Sequence, residues 1–140
     1  MHFQIYEFIL SVFLGAIGYY FVNFHMIPII EYRKIKYQVV TELAFFANVV
    51  SYKKTQEEQV DKFYEDRLAE RVLSFRRMSA ELKATINFLP RWYFPCLLCI
   101  FGEKPNQAVN EILKLSNCFD YREYEKIEKD VRKFLKLKDG

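Results

Sequence analysis

Glycine and proline are scarce in this 140-residue chain, at four each. That shortage argues against an all-β fold, which needs turn residues at every strand reversal. Three cysteines, an odd number, do not make a disulfide framework and suit a reducing compartment better than a secreted one. Charge of one sign is also lacking. The net charge is +3 and no Lys/Arg run reaches five residues. No nucleic-acid motif appears either, so nucleic acid is not expected as a partner. A phosphate-cradling glycine loop, a nucleophile elbow, an HExxH helix and a kinase signature are all missing. No catalytic, cofactor or metal site is therefore assigned, and the expectation is a protein that is not an enzyme. An active site assembled from scattered residues would escape this reading.

What is present is apolar and aromatic. Hydrophobic residues make up 51% of the chain, with 14 Phe and 10 Tyr, too apolar a composition for disorder over most of its length. An all-α protein is the economical reading.

From Phe8 to Val22 the sequence runs FILSVFLGAIGYYFV without a charge. Widening the window to Phe3 and Ile30 adds one acid, Glu7, and two weak interruptions, Asn23 and His25. About 20 apolar residues cross a hydrocarbon core of roughly 30 Å, and such a segment must be helical to satisfy its own backbone. A cleaved signal peptide would start basic and end in small residues. Here MHFQIYE has no Lys or Arg, and Tyr19-Tyr20-Phe21 stand where small residues would be. Residues 1–30 are expected to be an uncleaved transmembrane anchor, with a buried helix of a soluble protein as the alternative. Arg33, Lys34 and Lys36 follow the span and no Lys or Arg precedes it. Positive charge stays inside, so the N-terminus is expected outside and residues 31–140 in the cytosol.

Two features of the span have two readings each. Glu7 is a functional suspect as an intramembrane acid, or an end-of-span residue that snorkels to the headgroups. Ser11, Gly15 and Gly18 share one helix face and would let two spans approach closely, or fall there by chance. Pro28 is expected to kink the helix at the bilayer exit.

Beyond the basic cluster, Ile35, Val39, Leu43, Phe46 and Val50 form an apolar stripe on a helix over about 31–51. The polar stretch 51–59 reads as a turn. A second helix, about 58–89, carries Leu68, Val72, Phe75, Ser79, Leu82, Ile86 and Leu89 at alternating spacings of four and three. That is a heptad seam, open to a neighbouring helix of the same chain or to a partner chain. Glu58–Lys62 and Arg77–Glu81 are opposite charges four apart on its outer face. Two further helices are expected at 105–117 and 120–138. Pro105 opens the first, with Ala108, Ile112 and Leu115 on its face. Asp120 and Glu123 suggest a capping box for the second, which turns Tyr124, Ile127, Val131 and Phe134 inward.

Between these helices lies NFLPRWYFPCLLCIF (87–101). Only ten residues separate Arg91 from the Gly102 turn, about 15 Å as helix, so a second span fails. If the long helices form an antiparallel hairpin, residue 90 returns to the bilayer surface. Arg91, Trp92, Tyr93, Phe94 and Phe101 are then membrane-interface candidates. A bend capping the bundle and a re-entrant loop are the other readings. Cys96 and Cys99 form a C-x-x-C, but zinc wants four ligands and a thioredoxin-like site wants a βαβ context. Burial is the preferred role.

The stretches that carry a resemblance extending over most of the chain are Tyr32-Arg33-Lys34-Ile35, Glu42-Leu43 with Phe45 and Ala47-Asn48-Val49, Ile86 to Pro90, and Leu113-Lys114-Leu115-Ser116-Asn117. Together they resemble a group of small bacterial proteins with one N-terminal span and a cytosolic helical domain. The resemblance implies a bacterial inner-membrane protein and implies no activity. Asn48 and Asn117, polar on otherwise apolar helices, are read as cross-bundle hydrogen-bonding residues.

The functional expectation is a membrane-anchored interaction or scaffold protein. It would have membrane lipid and a protein partner or its own copy as partners, and no cofactor. One alternative is an oligomeric membrane-perturbing effector lined by Glu7, Asn23 and the 90–101 segment. Another is an enzyme acting on lipid or a membrane-bound substrate, with a pocket near Arg91.

Overall fold

The computed structural model describes residues 2–52 and 62–137, with side chains over 5–47 and 65–137. Among these residues all regular structure is helical. Helix α1 (His2–Phe21) passes through one π-helical turn (Val22–Met26) into α2 (Ile27–Tyr52). Then come α3 (Lys62–Phe88), the short α4 (Tyr93–Cys99), α5 (Pro105–Asn117) and α6 (Tyr121–Leu135). One helix, contained in Ile5–Ala47, is long and apolar enough to cross a membrane.

The π turn has a local cause. Pro28 has no N–H, and its ring crowds the carbonyl four residues earlier. The chain widens just ahead of it, and the Ile27 N–H donates to the Val22 carbonyl five residues back. The proline is thus accommodated by a π turn rather than by a chain break.

Helices α2, α3, α5 and α6 form a four-helix bundle in which each packs on two neighbours, α2–α3–α5–α6 and back to α2. The pairings are antiparallel. Along α3 and α5, Arg76 meets Asn117, Ser79 meets Val109 and Lys83 meets Asn106. On α2 and α3, Ser74 donates to Glu42 at 2.8 Å while Arg67 lies over the Phe45 ring. Short connections favour this arrangement.

The core follows the stripes read from the sequence, except that on α6 Leu135 is enclosed and Phe134, expected inward, is only partly buried; the Val50 side chain lies outside the described residues. Val39, Leu43 and Phe46 of α2 are fully enclosed, with Phe75 and Leu82 of α3, Ala108, Ile112 and Leu115 of α5, and Tyr124 and Val131 of α6. Ile86 of α3 and Leu89 just past its end are also buried, while Leu68 and Val72 are half-buried. The heptad seam therefore faces α2 and α5 of the same chain. Its one polar member, Ser79, donates to the Val109 carbonyl at 3.0 Å, so it is satisfied without a partner chain. Asn117 accepts from Arg76 at 3.1 Å across α3 and α5. The Asn48 side chain and the Glu58–Lys62 pair lie outside the described residues.

Helix ends follow their local chemistry. Pro105 occupies the first turn of α5, where a missing N–H costs nothing. The Asp120 side chain caps α6 by accepting from the Arg122 N–H at 3.3 Å. Glu123 does not complete a reciprocal box; its carboxylate instead lies 3.7 Å from the Cys118 thiol. The last helix stops at Leu135 rather than 138, because Lys136 adopts a left-handed conformation (φ 50°). The Leu137 N–H reaches back to the Arg132 carbonyl at 2.9 Å and the Lys136 N–H to Lys133 at 3.3 Å. This is a Schellman motif with lysine where glycine is usual.

Candidate membrane-interface site

Helix α1 is apolar all round, and every described side chain on it is exposed. Such a helix is unstable in water and suited to lipid. Gly15 and Gly18 have open space where a Cβ would sit. Ser11 donates to the Glu7 carbonyl at 2.8 Å and Asn23 to the Tyr19 carbonyl at 2.8 Å. Both polar side chains are thus satisfied within the helix.

Antiparallel packing returns α3 to the span end of the bundle, and the 90–101 segment lies there. The Trp92 indole N–H donates to His25 Nδ1 at 3.3 Å, tying this segment to the base of the span. The segment has two sides. Tyr93 and Leu97, one helical turn apart, are buried and close the bundle core, and Phe94 packs partly against it. Trp92, Leu98, Ile100 and Phe101 point outward with Phe88, and Arg91 is exposed beside them. Of the five interface candidates, the structure thus puts Arg91, Trp92 and Phe101 on the surface and Tyr93 in the core, with Phe94 between. An exposed aromatic and aliphatic group beside a basic residue matches the headgroup zone.

The expected burial of the C-x-x-C does not hold: α4 turns Leu97 into the core between them, leaving Cys96 half-buried, its thiol donating to the Trp92 carbonyl at 3.3 Å, and Cys99 exposed. Among the described residues no three His, Cys, Asp or Glu side chains converge as a metal site.

The loop after α4 carries the polar centre of this end. Gly102 has φ +63°, a conformation that costs glycine little and other residues more. It turns the chain so that the Glu103 N–H bonds the Leu97 carbonyl at 2.8 Å. The Lys104 N–H bonds the Phe134 carbonyl at 2.7 Å, anchoring the loop to α6. Held on both sides, the Glu103 side chain is buried under α2. The Tyr32 hydroxyl donates to one carboxylate oxygen at 2.6 Å, and the Lys36 ammonium donates to the other. A buried carboxylate needs such partners on both oxygens.

Beside this triad opens a cleft of about 540 Å³ between α2, the end of α4 and the residues that follow α6. Arg33, Lys36 and Lys136 line it and Glu103 is its one acid, while Val40, Phe101 and Leu137 supply apolar wall. Arg91 is not part of it. Sequence reasoning treated Arg33 and Lys36 as orientation signals and Gly102-Glu103-Lys104 as a turn. The approach of Glu103 to residues 67 and 71 positions earlier has no local signature. A lone acid after glycine, close to an aromatic segment, was the available hint.

At the opposite end of the bundle Arg71 is fully buried. Its guanidinium donates to the Cys118 carbonyl at 2.5 Å and lies over the rings of Tyr124 and Phe119. Burial pushes the Tyr124 phenol and the Cys118 thiol above their ordinary values. Cys118 therefore stays a protonated thiol at neutral pH, a poor nucleophile.

No family model, curated protein or solved structure matches this chain.

Proposed function

We propose that this chain is a single-span membrane anchor whose helical bundle rests on the cytosolic face of the bilayer and holds a second copy or a protein partner there. One observation carries the reading. The span, at His25 near its inner end, and the outward aromatics of 88–101 are joined at a single end of the bundle through the Trp92–His25 contact. Arg33, Lys34 and Lys36 immediately after the span support the inward placement of the bundle. The heptad seam is taken up inside the bundle, so association falls to the span, where Ser11, Gly15 and Gly18 form its smallest face.

The test uses the full chain in membranes. Carbonate extraction should leave it in the pellet, and a reporter fused to the C-terminus should be active only in the cytosol. Recovery in the supernatant, or a reporter active outside, refutes the anchor reading. Gly15→Ile with Gly18→Ile should abolish cross-linking between two copies in the membrane. Unchanged cross-linking removes the span as the self-association surface.

A further inference from the structure

The cleft beside Glu103 has a composition that scaffolding does not require. Glu103 already has its two oxygens committed to Tyr32 and Lys36, so the charges of Lys36 and Glu103 offset each other. Arg33 and Lys136 also line the cleft, and neither has a carboxylate partner among the described residues. An adjoining groove of about 390 Å³ adds Lys133. The cleft therefore carries surplus positive charge around a space large enough for a small polar group, with Val40, Phe101 and Leu137 as an apolar flank.

Its position narrows the ligand. At about 1.5 Å per residue of helix, Arg33 lies about 5 Å and Lys36 about 9 Å beyond Ile30, the last residue of the apolar span. The headgroup layer on each side of a bilayer is about 5–8 Å deep. Arg33 thus stands at the depth of lipid phosphates with Lys36 just beyond it, and Phe101 on the same cleft is exposed. Lys136 is held in place at some cost. It is the one non-glycine residue with positive φ among those described, a conformation unfavourable for a side chain with a Cβ. Its side chain crosses directly over Gly102, where an added Cβ would meet Lys136 Cε at 3.3 Å. Strain kept at a cleft wall is a reason to look for a ligand there.

We infer that this cleft binds the phosphodiester headgroup of an anionic phospholipid. Arg33 and Lys136 contact the phosphate, Lys36 stays paired with Glu103, and exposed Phe101 meets the lipid surface beside it. Two fixed cations favour a net anionic headgroup over a zwitterionic one, whose own ammonium would oppose them. The inference rests on the bilayer-docked reading above and adds a lipid preference to it.

The experiment uses the full chain in a neutral detergent, with thermal unfolding followed as soluble short-chain phosphatidylglycerol, short-chain phosphatidylcholine or inorganic phosphate is added. Phosphatidylglycerol should raise the unfolding midpoint at lower concentration than either of the others. Arg33→Gln and Lys136→Gly should each raise its half-saturating concentration about fivefold, the effect of one surface cation on an anionic lipid. Arg77→Gln, on the outer face of α3, should leave it unchanged. Lys136→Gly relieves the strained backbone, so it separates loss of binding from loss of folding. Equal responses to the two lipids, or variants that respond like the parent chain, overturn the inference. A shift produced equally by inorganic phosphate overturns the lipid source. A chain that stays in the carbonate pellet yet shows no headgroup preference sinks this inference alone and leaves the anchor reading standing.

Discussion

The two ends of the bundle each bury one charge, and they do so in different ways. At the span end Glu103 is matched by a lysine and a tyrosine hydroxyl on the wall of an open cleft. At the far end Arg71 is enclosed completely, donating to a main-chain carbonyl and lying over two aromatic faces. The Arg71 site joins α3 to the α5–α6 connection and has the character of a lock. The Glu103 site joins α2 to the α4–α5 loop, but it leaves surplus cations facing a space. Buried charge alone is therefore no guide to function. The informative difference lies in whether the charge is shut into the core or faces an open cleft.

The largest expected effect is at the lock. Arg71→Ala removes a large enclosed side chain and orphans the Cys118 carbonyl, and should destabilise the bundle by about 3–5 kcal/mol in denaturant titration. A loss under 1 kcal/mol would mean the far end does not depend on it. Glu103→Gln should cost less, about 1–3 kcal/mol. Its amide oxygen still accepts one bond, and half-buried Lys36 is free to turn toward solvent. The same change leaves Lys36 uncompensated, so the anionic-lipid response should strengthen. A weaker response would contradict the division of roles drawn here.

Alkaline pH acts at both ends by titration: burial and then the neighbouring Glu103 carboxylate hold the Tyr32 phenol well above its ordinary value at the span end, as burial does for Tyr124 at the far end. Tyr124 has its folded value raised above the ordinary 10.0, chiefly by burial. Its contribution is present in full below pH 10 and is lost as pH rises through the raised folded value. Cys118 acts in the same direction from its ordinary 9.0. Unfolding free energy should therefore fall as pH rises beyond about 9, and Tyr124→Phe should remove only its own share of that fall, leaving the share carried by Tyr32. The smallest effect is at Lys136→Gly, which should stabilise the bundle by about 1 kcal/mol by removing the left-handed lysine. Destabilisation instead would show that the lysine side chain holds the loop at Gly102.

How much of this was legible in the sequence depends on the range of the interaction. The long apolar N-terminal helix is a run within one segment, and the stripe on α2 and the seam on α3 are periodic patterns of single helices whose described members face the bundle interior. The Pro105 start of α5 and the Asp120 cap of α6 are signals within one turn and were also visible. The π turn before Pro28 was expected only as a kink, because sequence shows the missing donor but not how the chain reroutes it. The α6 stop came early because nothing marks Lys136 as left-handed; glycine would have. The Glu103 cleft was missed altogether. Its charged groups come from α2, the α4–α5 loop and the residues after α6, and only the closed bundle brings them together. Arg71 was invisible for the same reason: on a charged helix it looks like any solvated arginine.

Trp92 is the single tryptophan of the chain and sits where the span, α4 and the bundle meet, so its emission tests the central claim most directly. With the full protein in vesicles containing lipids brominated at successive depths, the account predicts blue-shifted emission, quenched most strongly by bromines just below the headgroups. Emission typical of water, unquenched at every depth, would mean that the 90–101 segment does not touch the bilayer and that the bundle stands away from it.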